Sequence, residues 1–143
     1  MVQERERVIV DANVLYSTLY KPEGVCGNMI QATIEGSCQL LSTDSVREEV
    51  RRNLVENLSL SEREEARLVL ALPVEWVPRE AYEHRINEAV LLLAHEADAP
   101  VLALSLAARH TILSGDRHFR SEPVMNKVRV LTSGQFLKTL PRR

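Results

Sequence analysis

The stretch Arg7-Val-Ile-Val-Asp-Ala-Asn13 contains a short β-branched run that is followed directly by an acid. The stretch Thr111-Ile-Leu-Ser-Gly-Asp116 has a similar pattern, with one glycine before the acid. Short aliphatic runs of this kind indicate buried strands of a parallel sheet. In such sheets, ligands bind outside the carboxyl ends of the strands, at a switch in strand order. We therefore expect Asp11 and Asp116 on the same edge of one sheet.

Strand-like and helix-like segments alternate along the rest of the chain, with short connections and no linker. This alternation predicts one domain over residues 1–143, a three-layer α/β/α sandwich with a mainly parallel central sheet of about five strands. The predicted strands are 8–10, 38–41, 74–77, 111–113 and 128–131. Helices are predicted over 29–34, after a turn flanked by Gly24 and Gly27 and before a stop at Gly36, from a cap at Thr43, from a capping box at Ser61 to before Pro73, over 80–95, from Asp98, and from a cap at Ser133 through Lys138.

Composition excludes several classes of protein. Hydrophobic residues at 45% and charged residues at 27% are typical of a globular chain. No apolar stretch approaches the ~20 residues that span a bilayer, and no apolar signal region stands near the start, so we expect a cytoplasmic protein without a membrane anchor. The net charge of −2 permits a nucleic-acid partner without indicating one.

Two further acids lie where a metal site would need them. Glu49 borders the apolar face of the helix from Thr43, three residues after Val46 and next to Val50. Asp98 precedes a helix whose first turn contains a proline. Carboxylates are hard oxygen ligands, and several of them around one cavity suit Mg²⁺ or Mn²⁺.

Each acid also has a purely structural interpretation. An aspartate after a strand often forms an Asx turn, as Asp11 would, and Gly-Asp116 alone would merely mark a turn. Glu49 is compatible with an ordinary solvated helix position. Asp98 is well placed to cap its helix, a role that is compatible with metal binding. The functional interpretation therefore depends on the four acids together.

Taken together, these segments resemble the PIN domain, a compact nuclease fold found in toxin halves of toxin–antitoxin pairs and in RNA-processing proteins. The run that ends in Asp11-Ala-Asn13 resembles the opening strand and first acid of the family, and Thr43 followed by Glu49-Val50 resembles its second-acid helix. Asp98-Ala-Pro-Val-Leu and Ser114-Gly-Asp116-Arg-His-Phe119 resemble the third and fourth acid segments. The resemblance covers nearly the whole chain.

The resemblance implies a divalent-metal-dependent ribonuclease that uses Mg²⁺ or Mn²⁺ to activate water and hydrolyses a phosphodiester without a covalent intermediate. It also implies single-stranded RNA as substrate, an antitoxin protein as partner, and a homo-oligomer. Asn13 and Ser114 resemble small polar residues that orient the carboxylates. The implied catalytic and metal-binding residues are Asp11, Glu49, Asp98 and Asp116.

One position departs from the family pattern. Many relatives carry a further acid two residues after the fourth, where this chain has His118. The imidazole could contact phosphate, bind a softer metal such as Mn²⁺, or be an ordinary loop residue. Its neighbour Arg117 is expected to hold a phosphate of the substrate.

Two other functions stay open at this point. Because His118 replaces the further acid of many relatives, the sequence is also compatible with a catalytically weak PIN-like module that binds RNA or protein. A flavodoxin-like signalling domain would need a lysine on a late strand, and the segment around its one candidate, Lys127, does not fit.

Overall fold

The computed structural model describes residues 5–140, which fold around one parallel sheet. Its strands are β1 (Glu6–Val10), β2 (Cys38–Thr43), β3 (Val74–Val77), β4 (Thr111–Leu113) and β5 (Val130–Leu131). The helices are α1 (Ala12–Tyr20), α2 (Val25–Ile34), α3 (Asp44–Leu58), α4 (Glu62–Ala71), α5 (Ile86–Leu92), α6 (Ala99–Ala108), α7 (Glu122–Met125) and α8 (Ser133–Leu137).

The strand order is β3-β2-β1-β4-β5, and all pairs are parallel. The chain proceeds outward from β1 to β3 and then returns to the other side of β1, so the switch in strand order lies between β1 and β4. Right-handed crossovers then place the helices that connect β1, β2 and β3 on one face and α6 on the other. The predicted α/β sandwich with a five-stranded parallel sheet is confirmed.

Helix α6 is apolar around its whole circumference and packs against β1, β2 and β4. A helix without a polar face is buried on all sides. Seven of its ten residues are buried, from Ala99 through Leu106. Because α6 is buried in the centre of the molecule, it fixes the position of Asp98, which directly precedes it.

Three details of the predicted helices are wrong. Residues 80–95 do not form one helix, because Tyr82 leaves the helical conformation, is fully buried, and donates its hydroxyl to Asp44 at the start of α3. Gly27 lies inside α2 and not in a turn; an added Cβ would lie 1.7 Å from the Pro22 carbonyl oxygen, so only glycine fits. The final helix is capped by Thr132 and not by Ser133.

Other predicted boundaries are confirmed. Thr43 caps α3 by accepting the Val46 N–H, and Ser61 caps α4 in a capping box with Glu64. Gly36 adopts a left-handed conformation, with a φ of 86°, just after α2 ends. Within residues 5–140, no helix has both the length and the apolar character that crossing a membrane requires.

Candidate metal centre at the carboxyl edge of the sheet

The candidate site lies where β1 and β4 end side by side. Val10 is paired in register with Leu113, so the next residues, Asp11 and Ser114, emerge as neighbours at the switch in strand order. This is the position at which open parallel sheets bind ligands. The two motifs that predicted the fold therefore form adjacent walls of one site.

Asp11 is held in place from two sides. One carboxylate oxygen accepts the Val14 N–H at 3.1 Å, which caps α1, and the other accepts the Ser114 hydroxyl. The Ser114 oxygen in turn accepts the Asp116 N–H at 3.0 Å. A continuous chain of hydrogen bonds thus ties the first acid to the fourth, and the predicted orienting role of Ser114 fits this geometry.

Asp98, Asp116 and His118 form a tight cluster of possible metal ligands. One ligand atom from each lies within 4.8 Å of the other two. The His118 Nδ1 atom is 3.1 Å from a carboxylate oxygen of Asp98 and 3.1 Å from one of Asp116. His118 is therefore part of the acidic cluster and not a detached loop residue. Two carboxylates and an imidazole form a donor set that suits a divalent transition-metal ion such as Mn²⁺.

The side chain of Asp98 does not cap its helix. It stands at the N-cap position of α6, but it makes no capping hydrogen bond and turns instead to His118. The structural role predicted for this residue is thus absent. Its carboxylate is directed at the other members of the cluster.

Glu49 reaches the site from α3. The Tyr16 hydroxyl donates to the Glu49 backbone carbonyl at 3.1 Å, and the Tyr20 hydroxyl donates to Asn53 one turn later at 2.6 Å. These bonds fasten α3 to α1, the helix that follows Asp11. Glu49 is outside the tight three-residue cluster, but burial raises its pKa and the negative charge of Asp98 adds to this effect.

Burial and mutual repulsion make ionisation of the carboxyl groups in the site unfavourable. Asp11 is only 6% exposed, and burial is the main cause that raises its pKa to about 6. The hydrogen bonds from Ser114 and Val14 oppose this shift, whereas the charges of Asp116 and Asp98 add to it. Burial also raises the pKa of Asp98, against the hydrogen bond from His118. A bound cation would relieve this conflict.

The remaining predicted site residues occupy different positions around the cluster. Arg117 is exposed on the loop after the fourth acid, as a substrate contact would be. Arg120, which follows on the same loop and was not a predicted site residue, donates to the Ser114 carbonyl at 2.9 Å and so stabilises the loop. Asn13 is exposed and, within residues 5–140, makes no side-chain hydrogen bond to a carboxylate. Its predicted orienting role has no support in this geometry.

His95 was not identified from the sequence. Its ring stacks on that of His118, with 3.7 Å between centroids and 30° between planes. Its charge, when protonated, lowers the pKa of Asp98. His95 lies before α6 in a segment predicted as one long helix, and nothing in that pattern pointed to the site.

A separate cavity of about 860 Å³ opens at the amino ends of the strands and is lined in part by Arg5, Arg7 and His110. It lies at the opposite edge of the sheet from the carboxylates. The chemistry of the side chains, and not the size of a cavity, therefore assigns the candidate site.

Comparisons with known proteins give the family and the fold. The family described as PIN domain matches residues 9–131. Among solved structures, a chain of VapBC-1 from nontypeable Haemophilus influenzae aligns with a TM-score of 0.67 and 11% identity, over 90% of this chain and 98% of that one. A chain of VapBC2 from Rickettsia felis, bound to a promoter DNA fragment, aligns with a TM-score of 0.64 and 10% identity, over 88% of this chain and 98% of that one. A chain of a toxin–antitoxin complex from Klebsiella pneumoniae aligns with a TM-score of 0.60 and 15% identity, over 88% of this chain and 97% of that one. No curated protein matches the sequence significantly.

Proposed function

Because this chain belongs to the PIN domain family, we propose that it is a divalent-metal-dependent nuclease that hydrolyses phosphodiesters of single-stranded RNA. The observation that carries the proposal is the convergence of Asp98, Asp116 and His118 beside the buried Asp11. These residues come from three separate segments of the chain, which the fold brings together at one edge of the sheet.

The donor set fits a metal ion. Asp98, Asp116 and His118 would bind it directly, Asp11 would join them from the end of β1, and Glu49 would complete the site from α3. Replacement of one acid by imidazole favours Mn²⁺ over Mg²⁺, because Mg²⁺ prefers oxygen ligands alone. When bound, the ion supplies an activated water and positive charge opposite the phosphate.

The protein's own groups prepare the site for that chemistry. The hydrogen bonds from Ser114 and Val14 fix both oxygens of Asp11, so that this carboxylate is oriented before any ligand arrives. The Nδ1 atom of His118 lies 3.1 Å from a carboxylate oxygen of Asp98 and 3.1 Å from one of Asp116, so it keeps the two acids close together. Arg117 lies exposed next to Asp116, and its guanidinium would bind a neighbouring phosphate in a bidentate manner.

We also propose that the protein is the toxin of a toxin–antitoxin pair and forms a homo-oligomer. Support for the first part comes from the Klebsiella pneumoniae chain, which belongs to a toxin–antitoxin complex and shares this fold over 88% of the present chain. A co-purification from cells that express the neighbouring open reading frame tests the partner. Light scattering of the purified protein tests the oligomer.

Cleavage of a fluorescent single-stranded RNA tests the nuclease. The purified protein should cut it with Mn²⁺, and Asp116→Asn should abolish cutting because the amide keeps the shape but removes a charge that binds the ion. Glu56→Gln, the same change at an exposed position of α3, is the matched control and should cut normally. Equal rates for Asp116→Asn and the parent would assign the activity to another site or to a contaminant.

A second candidate function is supported by the contacts of His118. Its ring Nδ1 bonds to Asp98 and its backbone N–H donates to Asp116, so both acids have a partner without a metal ion. A site satisfied in this way would suit a module that binds RNA or protein but cleaves poorly. RNA binding without cleavage at any Mn²⁺ or Mg²⁺ concentration would favour this function over the nuclease.

A further inference from the structure

A cavity of about 340 Å³ lies beside the candidate site, and it is lined in part by residues that neighbour the acids along the chain. It is lined by the start of α1 (Asn13, Val14, Ser17), the start of α2 (Val25, Cys26), Gly115 and the start of α8. Asn13 follows Asp11 by two residues, and Gly115 stands between Ser114 and Asp116. These two lining residues place the cavity beside Asp11 and Asp116. Its volume is near the lower end of the ~300–1,000 Å³ typical of small-ligand pockets.

We propose that this cavity is a nucleobase subsite, which holds the base of a nucleotide adjoining the scissile phosphate. The inference rests on the proposed nuclease function and adds a substrate contact to it. Bases of single-stranded RNA are unstacked and free to enter such pockets, where apolar walls contact their faces and polar groups bind their edges.

The chemistry of the lining suits a base. Val14 and Val25 supply an apolar wall, and Val25 is 50% exposed although it stands at the start of a helix that packs inward. The amide of Asn13 and the hydroxyl of Ser17 have no hydrogen-bond partner among residues 5–140. An asparagine amide offers both donors and acceptors, as recognition of a base edge requires. A base in the cavity would use all of these groups at once.

Gly115 gives the second, independent observation. A Cβ built on this residue would meet no atom within 4 Å, and Gly36 is the one glycine of residues 5–140 with a positive φ. Neither the backbone conformation nor packing against the protein thus requires glycine at position 115. The position lines the cavity next to Asp116, and the space around it is open. Room of this kind is what a ligand would need to pass from the acids into the cavity.

The same property makes Gly115 a clean place for a test. Gly115→Leu should fill the cavity without straining the fold, and Ala71→Leu adds similar bulk at an exposed position outside the cavity as a control. A melting curve with and without Mn²⁺ checks each variant, because a filled cavity should leave the ion's stabilising effect unchanged. Asn13→Ala removes the amide without adding bulk and serves as a second variant.

Binding of a short fluorescent RNA is measured in an Asp98→Asn background, where no cleavage is expected, with intact RNA and with RNA that carries one abasic nucleotide at successive positions. An abasic nucleotide at one position should weaken binding about tenfold, the scale of losing one base contact. Gly115→Leu should weaken binding of intact RNA by a similar factor and abolish the effect of the abasic nucleotide. Asn13→Ala should reduce that effect, and Ala71→Leu should preserve it.

The outcomes separate this inference from the nuclease itself. RNA that binds equally well with and without the abasic nucleotide, or a Gly115→Leu protein that keeps the parent's abasic effect, would overturn the base subsite. A side chain of a partner protein would then be the better occupant. Failure of the nuclease proposal would show differently, as intact RNA that the parent binds with base sensitivity but does not cut with Mn²⁺. Absence of any RNA binding would overturn both.

Discussion

Asp11→Asn should make the metal-free protein more stable at neutral pH while removing its activity. Burial raises the pKa of Asp11 from 3.8 to about 6, so the folded protein holds this proton more tightly than the unfolded chain does. The stability that this proton contributes is fully present below about pH 4 and is lost as the pH rises through 6. At ~1.4 kcal/mol per pH unit between the two pKa values, ionisation of Asp11 costs the folded protein up to about 3 kcal/mol at pH 8. Asparagine stays neutral and its side-chain oxygen can still accept the Val14 N–H.

Urea unfolding in the presence of a chelator measures this effect. We expect Asp11→Asn to exceed the parent by about 1–3 kcal/mol at pH 8 and to match it near pH 4, where the parent's Asp11 is protonated. Glu56→Gln, which neutralises an exposed acid, should change the free energy of unfolding by less than ~0.5 kcal/mol at both pH values. Saturating Mn²⁺ should stabilise the parent and not Asp11→Asn. An Asp11→Asn protein that is less stable than the parent at pH 8 would refute the assignment of a strained, buried carboxylate.

Three further predictions follow from the site. Mn²⁺ at ~100 times its dissociation constant should stabilise the parent by about 2.7 kcal/mol, and Asp116→Asn should lose this gain; an unchanged melting temperature in the parent would count against a metal site. His118→Asp should bring the stabilisation by Mg²⁺ up to that by Mn²⁺, because an all-oxygen ligand set suits Mg²⁺, and thermal shifts with both ions decide it. Arg117→Ala should weaken RNA binding and lower the slope of log affinity against log salt by about 0.7, whereas identical slopes would leave Arg117 as a solvated surface residue.

The sheet could be predicted because its signal is local. Val8, Ile9 and Val10 are fully buried, as a short β-branched run with no polar face requires. The register of β1 with β4 then follows from the parallel arrangement, and it brings Asp11 beside Ser114. The adjacency of two strand ends was therefore already present in two short sequence motifs.

Helix α1 could not be predicted in the same way. Its sequence, Ala12-Asn-Val-Leu-Tyr-Ser-Thr-Leu-Tyr20, is rich in residues with poor helix propensity and has no charged pairs. The Asp11 cap and the bonds from Tyr16 and Tyr20 to α3 stabilise it instead. These are tertiary contacts, which no local pattern records.

The surroundings of the cluster depend on geometry of the same kind. Asn13 was expected to orient a carboxylate because it resembles a small polar residue with that role in the PIN domain family, but as the second residue of α1 it lines the neighbouring cavity. The stacking of His95 on His118 joins two loops that are far apart in the sequence. Contacts between loops depend on how the helices pack, and spacing along the chain does not reveal them.

The burial of α6 has a consequence for how such a sequence can drift over generations. Asp98 is carried by the helix whose side chains fill the middle of the molecule, so most substitutions that move this acid would also open voids in the interior. The short connection between α3 and α4, residues 59–61, is largely exposed and contributes much less to the interior. Insertions and deletions should therefore accumulate in this connection, while the length of α6 stays nearly constant. A library of random length variants, selected only for solubility, would show the same bias before any selection for activity.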